Sequence, residues 1–396
     1  MRGTVLRGLL SPLALLLASC GSSATGDSAD ARATPAVSGS DRPFALTEVA
    51  TFDEPWAMAL VPGSGVVLVT ERKGTIKGFE PNGRAIFVTG VPAVDYGGQG
   101  GLGDIAFLQS ESATHLTPRT IYLSWVEAGA DDTRGAVVGR GRMVCEEHQT
   151  CDIRNLRVIW RQDPKVTGRG HFSHRLAFSP DGQHLFVSSG DRQKLTPAQD
   201  MGGNLGKIVR LLPDGTPAPG NPFAARGGGI APQIWTLGHR NILSLNFDAQ
   251  GRLWALEHGP RGGDELNLIE PGRNYGWPVV SNGDHYGGRS IPRHRVRTDF
   301  AAPATSWNPV IAPGGMIFYS GSQFPEWRGQ ALIAAMKPAA LVRVAIDGES
   351  AREVTRYPMV NPIRAIAQRD DGSIWLLEDG KGNPSAKLLR LSPAAR

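Results

Sequence analysis

Short apolar runs separated by tight, glycine-containing turns form the main hydrophobic pattern of the chain. No long stretch repeats its apolar residues with the period of an amphipathic helix. Instead, a short turn with Gly, usually after an apolar residue, is followed by a β-rich run that often ends in an acid. Such a turn between two strand-like runs is typical of a β-hairpin. The copies are Phe178–Gly182 before His184–Ser188, Phe247–Gly251 before Leu253–Glu257, Arg369–Gly372 before Ile374–Glu378 and, more loosely, Leu60–Gly65 before Val66–Glu71.

The spacing of these turns is regular. The turn glycines Gly65, Gly182, Gly251 and Gly372 lie two, one and two repeats apart if one repeat is about 61 residues long. The globular part, residues 42–396, then holds about six repeats. Because four-stranded repeats arranged radially form a β-propeller, the sequence predicts an all-β fold, a six-bladed β-propeller of four-stranded antiparallel blades. A strand-rich fold that is not a propeller is the alternative.

The composition excludes several other classes of protein. The 396 residues include 50 Gly and 29 Pro, which disfavours a helical bundle, since an interior Gly costs about 1 kcal/mol and an interior Pro about 3 kcal/mol. The glycines have no Gly-X-Y period, which excludes collagen. An apolar share of 40% is enough to bury a core. The net charge is +5, but no dense Lys/Arg run or nucleic-acid motif occurs, so we expect no nucleic-acid partner.

The first residues have the pattern of an export signal. Arg2 and Arg7 precede a mostly apolar stretch, Leu9–Ala18, which is shorter than the roughly 20 residues that a bilayer-spanning helix needs. The segment Leu17–Cys20 resembles the bacterial lipobox, in which Cys20 would carry a lipid; an ordinary signal peptide is the alternative. We expect an exported protein at the periplasm-facing membrane surface, attached by its lipid alone. The predicted parts are a lipoprotein signal peptide (1–19), a lipidated flexible tether (20–41) and a propeller domain (42–396).

Two further cysteines, Cys145 and Cys151, lie close together in the chain. An oxidising compartment allows a disulfide that closes a small loop between them. A zinc site that includes His148 is the alternative, although no fourth ligand is evident.

Three segments hold more glycine or polar residues than a hairpin needs. Gly97–Gly103 is followed by neither a helix start nor a Lys, so it does not fit a phosphate cradle, and its glycines instead let backbone approach a ligand. Gly170–Arg175 places two histidines just before a strand, of which we expect His174 to be a packed turn residue. Asp264 and Glu265 follow a Gly-rich bend, and such paired acids either coordinate Ca²⁺ or are merely solvated.

Seven short motifs together point to one family. They are His171–Arg175, Gly190–Arg192, Asn204–Arg210, Leu237–Asn241, Glu257–Pro260, Asp264–Ile269 and Asn274–Pro278. With these motifs in family order, the chain from about residue 45 to 393 resembles the soluble pyrroloquinoline-quinone (PQQ) dependent glucose dehydrogenases. It resembles even more closely the bacterial aldose sugar dehydrogenases of the glucose/sorbosone dehydrogenase family. The resemblance implies a six-bladed propeller, in agreement with the repeat spacing.

The resemblance also implies a reaction, the oxidation of the C1 hydroxyl of an aldose to a lactone by hydride transfer to PQQ. His171 matches the general base, since an imidazole with an ordinary pKa of about 6.5 is largely neutral at pH 7. Gln99 matches a glutamine beside the base and the sugar. Arg240 and Asn241 match residues that hold the quinone oxygens, where a guanidinium stabilises the negative charge that develops.

The remaining implied ligands are those of the cofactor and of two calcium ions. The carbonyls of Gly259 and Pro260 match ligands of the Ca²⁺ that polarises PQQ. Residues matching the other cofactor contacts are Lys337 and Arg364 for the PQQ carboxylates and Trp307 for an aromatic wall, and those matching a structural calcium site are Asp264, Glu265 and Tyr275.

Two departures from the family pattern keep other functions open. Gly170 stands where the glucose enzymes carry an aspartate that orients the base, and Pro362 stands where a second arginine is expected before Arg364. A propeller lipoprotein that serves only as a binding platform, or a calcium-dependent lactonase-type hydrolase, are the alternative functions. A dehydrogenase would also need an electron acceptor such as a cytochrome. The sequence does not name the sugar.

Overall fold

The computed structural model describes residues 42–146, 150–380, 382 and 384–394, and in this part of the chain all regular structure is β-strand or short 3₁₀-helix. The all-β prediction is therefore confirmed. The predicted signal peptide, the tether and Cys20 lie outside the described residues. Among the described residues, no helix is long and apolar enough to cross a membrane.

The strands and helices have the following bounds. In chain order the strands are β1 (Phe44–Phe52), β2 (Pro55–Leu60), β3 (Val67–Glu71), β4 (Thr75–Phe79), β5 (Ala85–Thr89), β6 (Leu102–Phe107), β7 (Arg119–Ala128), β8 (Arg134–Cys145), β9 (Thr150–Arg161), β10 (Ser173–Phe178), β11 (Leu185–Ser189), β12 (Lys207–Leu211), β13 (Ile234–Leu237), β14 (Ile242–Phe247), β15 (Leu253–Glu257), β16 (Asp264–Leu268), β17 (Thr305–Trp307), β18 (Pro313–Phe318), β19 (Ala331–Met336), β20 (Ala339–Asp347), β21 (Ser350–Pro358), β22 (Ile363–Gln368), β23 (Ile374–Glu378) and β24 (Ala386–Pro393). The 3₁₀-helices are Gln109–Glu111, Thr196–Ala198, Ala224–Arg226, Ala231–Gln233, His294–Val296 and Pro325–Trp327.

The described strands form four sheets of four strands and one of eight. Three of the four-stranded sheets follow the chain as antiparallel meanders: β10–β13, β14–β17 and β18–β21. The fourth has the order β1-β24-β23-β22, so that the first strand completes the sheet of the last three. The eight-stranded sheet combines two antiparallel groups, β2–β5 and β6–β9, through a parallel pairing of β5 with β9.

The predicted hairpin turns join the first two strands of a group. Gly65, Gly182, Gly251 and Gly372 connect β2 to β3, β10 to β11, β14 to β15 and β22 to β23, with φ values of 68°, 71°, 76° and 79°. Glycine is favoured at these positions because other residues rarely adopt a positive φ. The recurring sequence pattern therefore corresponds to one structural unit, the first hairpin of each of these groups.

The first strands of the groups contact one another in a closed order, β2, β6, β10, β14, β18, β22 and again β2. This order arranges the groups around a common centre. Apolar side chains fill the spaces between neighbouring groups, as where Leu256 of β15 packs in one cluster with Ile333 of β19. The burial of these strands on both faces explains why they are continuous apolar runs.

The hairpin of β8 and β9 contains the two remaining cysteines. Cys145 and Cys151 face each other in the ladder and are joined by a disulfide with an S–S distance of 2.08 Å. Because the sulfur atoms are bonded to each other, neither is a free thiolate for zinc. His148, the other residue of the zinc alternative, lies outside the described residues.

Candidate functional site

The candidate site lies at one end of the six groups of four strands. At this end the first strand of each group (β2, β6, β10, β14, β18 or β22) begins. In an antiparallel hairpin the start of the first strand lies beside the end of the second, and the described chain places polar residues at both points. Every group of strands contributes to a cavity of about 240 Å³ at this end. The residues that line it are Trp56, Arg72, Gly98, Gln99, Phe172, Ser173, His174, Asn241, Leu243, His258, Met336, Arg364 and Asp379.

His171 lies two residues before the start of β10 and next to the lining residue Phe172 of this cavity. Its backbone N–H donates a hydrogen bond to Oε1 of Gln99 (2.7 Å), and its Nδ1 lies 2.7 Å from Oδ1 of Asp191. An ionised carboxylate can only accept a hydrogen bond, so Nδ1 carries the proton. The imidazole therefore has its lone pair on Nε2, the atom that a general base needs.

The pKa of the His171 imidazole is shifted below its usual value of 6.5. Burial is the largest cause, because it disfavours the charged form, and the positive charge of Arg240 acts in the same direction. The hydrogen bond to Asp191 raises the pKa but does not reverse the shift. His171 is thus neutral at pH 7, as a proton acceptor must be.

The backbone around His171 is strained. His171, Ser173 and His174 have φ values of 48°, 59° and 51°, in the left-handed region that non-glycine residues seldom occupy. Strain of this kind concentrates at functional sites, where the surrounding structure over-determines the conformation. His174 is buried, stacks on Trp56 with a ring-centroid distance of 4.8 Å, and is a packed residue as expected.

Asp191, which follows β11, is the carboxylate that orients His171. It is fully buried, and its Oδ2 accepts a hydrogen bond from Nε1 of Trp277 (2.7 Å). The motif Gly190–Arg192 contains this residue, but its role could not be read from the sequence because the His171–Asp191 contact joins two chain segments that only the hairpin brings together. At Gly170 the side chain of Gln193 already occupies the space that a Cβ would enter.

Arg240 and Asn241 immediately precede β14. The Arg240 backbone N–H donates to Oε2 of Glu257 (2.8 Å), and its Nη1 donates to the carbonyl of His258 (3.0 Å). The Arg240 Nε is buried and has no hydrogen-bond partner among the described residues. The amide oxygen of Asn241 accepts a hydrogen bond from the Ser173 hydroxyl at 3.2 Å. Because its Nε has no partner among the described residues, the Arg240 guanidinium can still donate a hydrogen bond to a ligand.

The loop after β15 presents two backbone carbonyls. Gly259 and Pro260 are buried, and neither carbonyl oxygen accepts a hydrogen bond from the residues that the structure describes. Asp264 fixes this loop: its Oδ1 accepts from the Gly259 N–H (2.8 Å), and its Oδ2 accepts from the N–H groups of Ile311 and Ala312 (2.8 and 2.7 Å). Both carboxylate oxygens of Asp264 are thus used within the protein.

A second space, about 10 Å³ in volume and large enough for one water or ion, adjoins these carbonyls. Glu257, Glu265 and Tyr275 are among its lining residues. Burial and the neighbouring charge of Glu257 raise the pKa of Glu265 well above its usual value. The Tyr275 hydroxyl donates to the Leu268 carbonyl (2.5 Å) and so is engaged in the fold. Across the described ranges, no three His, Cys, Asp or Glu residues are grouped so as to hold a metal ion.

Comparison with known proteins settles the family. The family model for glucose/sorbosone dehydrogenases matches residues 52–390. The chain belongs to this family. It is 34% identical over 347 residues to the aldose sugar dehydrogenase YliI of Escherichia coli, an alignment that spans 86% of the chain and 90% of that relative. The glucose/sorbosone dehydrogenase family and this relative show that the chain is a sugar dehydrogenase.

Solved structures of the family have the same fold. The apo form of the soluble aldose sugar dehydrogenase from Escherichia coli superposes with a TM-score of 0.80 at 31% identity, over 89% of this chain and 100% of that one. A PQQ-bound aldose sugar dehydrogenase from Streptomyces coelicolor superposes with a TM-score of 0.66 at 26% identity, over 88% of this chain and 98% of that one. The chain described here therefore has the β-propeller fold of its family.

Most of the residues that the family resemblance assigns to the site lie together at this end of the propeller. Gln99, Asn241 and Arg364 line the main cavity, and His258 lines both spaces. Arg240, Gly259, Pro260, Glu265 and Tyr275 line the smaller one.

Two of the predicted cofactor contacts are placed differently from the rest. Lys337 follows the lining residue Met336 and is exposed, and its ammonium has no partner among the described residues. Trp307 is buried in an apolar cluster, where its Nε1 donates to Glu353 (2.8 Å), and it does not line the cavity. The structure therefore does not bring Trp307 to the site.

Proposed function

We propose that this sugar dehydrogenase uses PQQ and Ca²⁺ to oxidise the C1 hydroxyl of an aldose to a lactone. The observation that carries the proposal is the neutral His171, held by Asp191 with its Nε2 lone pair free, beside a cavity that Gln99 and Asn241 line. A base in this state accepts a proton from a sugar hydroxyl without needing to be deprotonated first.

The cavity residues fit a cofactor that carries several carboxylates and a quinone. Among the described residues, the buried Nε of Arg240 and the ammonium of Lys337, near the lining residue Met336, have no partner and can contact a ligand. Arg364 lines the cavity, although Asp379 already accepts from its Nη2 at 2.8 Å. The PQQ-bound relative from Streptomyces coelicolor supports the same cofactor here. When bound, PQQ supplies the quinone carbon that accepts the hydride from C1 of the sugar.

The protein's own groups then have distinct tasks. Nε2 of His171 takes the proton of the C1 hydroxyl, so that loss of this proton and of the C1 hydride oxidises the sugar by two electrons. The Asp191 carboxylate stabilises the resulting imidazolium through Nδ1–H. The Arg240 guanidinium would stabilise negative charge on the quinone oxygens. It would need little reorganisation, because its Nη1 donates to the His258 carbonyl and Glu257 holds the backbone N–H of the same residue.

Two cation sites belong to the proposal. The carbonyls of Gly259 and Pro260, which accept no hydrogen bond within the described part of the chain, would hold the Ca²⁺ of the cofactor, since oxygen atoms are the ligands this ion prefers. Glu265, beside Glu257, would hold a structural Ca²⁺ that balances two buried negative charges. Asp264 would support the first site by fixing the loop rather than by binding metal, and the Tyr275 hydroxyl is likewise engaged elsewhere.

The finer architecture is also part of the proposal. We count six blades by dividing the eight-stranded sheet into β2–β5 and β6–β9. The closed order of contacts among six first strands supports this count. The parallel pairing of β5 with β9 would then be an additional contact between two neighbouring blades.

The place of action is proposed from the N-terminal sequence. The lipobox-like segment that ends at Cys20 supports export and lipid attachment on the periplasm-facing side of a membrane. Growth with a radiolabelled fatty acid tests this: the protein takes up label, and Cys20→Ser does not. A Cys20→Ser protein that still takes up label would place the lipid elsewhere. Electrons would leave through an acceptor in the same compartment.

Reduction of a dye by the protein loaded with PQQ and Ca²⁺, measured with a panel of aldoses, tests the function. We expect turnover with at least one aldose, and a fall of about 10²–10⁴-fold in His171→Ala with PQQ still bound. Bound PQQ without dye reduction by any aldose would overturn the proposal and favour a binding platform. Hydrolysis of a lactone panel, followed in parallel, would instead support the lactonase-type alternative.

A further inference from the structure

The two oxygens of the Asp191 carboxylate have different partners. Oδ1 accepts from Nδ1 of His171 (2.7 Å) and from the N–H of Gln193 (2.8 Å). Oδ2 accepts from Nε1 of Trp277 (2.7 Å). Trp277 is buried, so that this indole N–H is held away from solvent. The rotation of the carboxylate is therefore determined on one side by the base and on the other by the indole.

Trp277 is itself held rigidly. Its backbone N–H donates to the Gly238 carbonyl (2.9 Å), and its carbonyl accepts from Nε2 of Gln199 (2.7 Å). Its ring packs in an apolar cluster with Ala198 and Ile291. An indole that is fixed through its backbone and its ring can fix a partner in turn.

The same ring also lies against the predicted quinone-binding arginine. The guanidinium carbon of Arg240 lies 5.3 Å from the centroid of Trp277, within the range of a cation–π contact. The backbone N–H of Asp191 donates to the carbonyl of Arg240 at 2.9 Å. Trp277 therefore contacts both the carboxylate that orients the base and the cation that faces the cofactor.

We propose that Trp277 is a positioning residue, whose indole N–H locks the Asp191 carboxylate so that Oδ1 faces His171, and whose ring keeps Arg240 in register with that pair. The inference rests on the role proposed for His171. The sequence singled out Asn274–Pro278 only as one of the seven family motifs, without a role for its tryptophan. The structure gives its tryptophan a task at the site.

Loss of the indole N–H has a definite electrostatic consequence. Oδ2 of Asp191 would lose its donor, and a buried carboxylate with fewer donors attracts the imidazolium more strongly. The charged groups that face His171 are Asp191, Arg240 and Arg192, with His258 nearby. A Phe at position 277 retains an aromatic face toward Arg240, so only the hydrogen bonding of Asp191 changes. The pKa of His171 is then expected to rise.

The test compares Trp277→Phe with Trp160→Phe. Trp160, on β9, is a matched control because it is also buried and its Nε1–H donates to a side-chain oxygen, Oε1 of Gln233 (2.6 Å). NMR titration of His171 in PQQ-free protein should show a proton affinity about 3- to 10-fold higher in Trp277→Phe. The control should titrate as the wild type does. In the loaded enzyme, kcat for dye reduction should fall about 10-fold at pH 7 with little change in KM.

An unchanged His171 titration together with unchanged kcat in Trp277→Phe would overturn the inference. If Trp277→Phe does not fold, a measurement on the wild-type protein tests the same inference. The Nε1–H resonance of Trp277 should shift with pH at the midpoint of the His171 titration. A Trp277 resonance whose position does not change across the His171 titration would also contradict the inference. If no aldose is oxidised by any form, the proposed function fails, whereas the His171 titration still decides the role of Trp277.

Discussion

Replacement of Asp191 by Asn tests how the base is held. Three N–H groups converge on this buried carboxylate, those of His171, Gln193 and Trp277. An asparagine has one acceptor oxygen and one NH₂ group, which cannot serve all three donors. Either the NH₂ faces His171, or it opposes the indole N–H of Trp277. Both arrangements keep the shape of the side chain and damage the network.

The size of the loss follows from these two arrangements. If the NH₂ faces His171, the imidazole must turn Nδ1 into an acceptor and carry its proton on Nε2, which abolishes the base; a wrong tautomer of this kind costs about 10⁴-fold in kcat. If the NH₂ faces Trp277, a buried donor loses its acceptor at a cost of about 1–3 kcal/mol, and the imidazolium loses its charged partner. We therefore expect Asp191→Asn to lower kcat by about 10²–10⁴-fold.

The assay is steady-state dye reduction with the loaded enzyme, with PQQ binding measured separately. Asp248→Asn is the matched control, because Asp248 is also buried and accepts from an indole, Nε1 of Trp254 (2.9 Å), but lies in the turn after β14 away from the cavity. It should lose stability without losing kcat. A kcat for Asp191→Asn within threefold of wild type, with PQQ bound, would refute the reasoning.

Three further predictions concern acid stability, the cofactor and calcium. Burial lowers the pKa of His174 from 6.5 to about 3, so the unfolded chain binds one more proton than the folded chain between these pH values. The free energy of unfolding should therefore fall by about 1.4 kcal/mol per pH unit on acidification. Urea titrations of His174→Phe should lack this contribution to the pH dependence. Lys337→Ala should weaken PQQ binding about 10-fold by calorimetry, whereas Lys387→Ala, whose lysine pairs with Glu48, should leave it unchanged. Added Ca²⁺ should raise the melting temperature of PQQ-free wild type but not of Glu265→Gln, and an equal rise in both would exclude Glu265 as a ligand.

The hairpins could be predicted from the sequence because their signal is local. The turns at Gly182 and Gly251 each require a positive φ between two apolar runs, and all the information lies within a few residues. The parallel pairing of Phe87 with Thr150 has no such local signal, since it joins strands that are far apart in the chain. Local patterns thus predicted the strands and the repeat, but not this contact between groups.

The site residues show the same division. His171 and Arg240 each lie two residues before the first residue of a strand, β10 and β14, and the fold brings these strand starts together. Asp191 could not be assigned because its partner lies across a hairpin. Trp307 was expected at the site, but the face of a short strand determines where its ring points, and here it points into the apolar cluster with its Nε1 on Glu353.

The central claim is that this chain oxidises sugars through a PQQ held beside His171. Rapid mixing of the protein, loaded with PQQ and Ca²⁺, with individual aldoses tests it most directly, because the absorbance of bound quinone reports the hydride transfer itself. We predict that the quinone absorbance disappears with at least one aldose, and more than about 100-fold more slowly in His171→Ala that binds PQQ equally well. Bound quinone that no aldose reduces, or that is reduced equally fast without His171, would contradict the account.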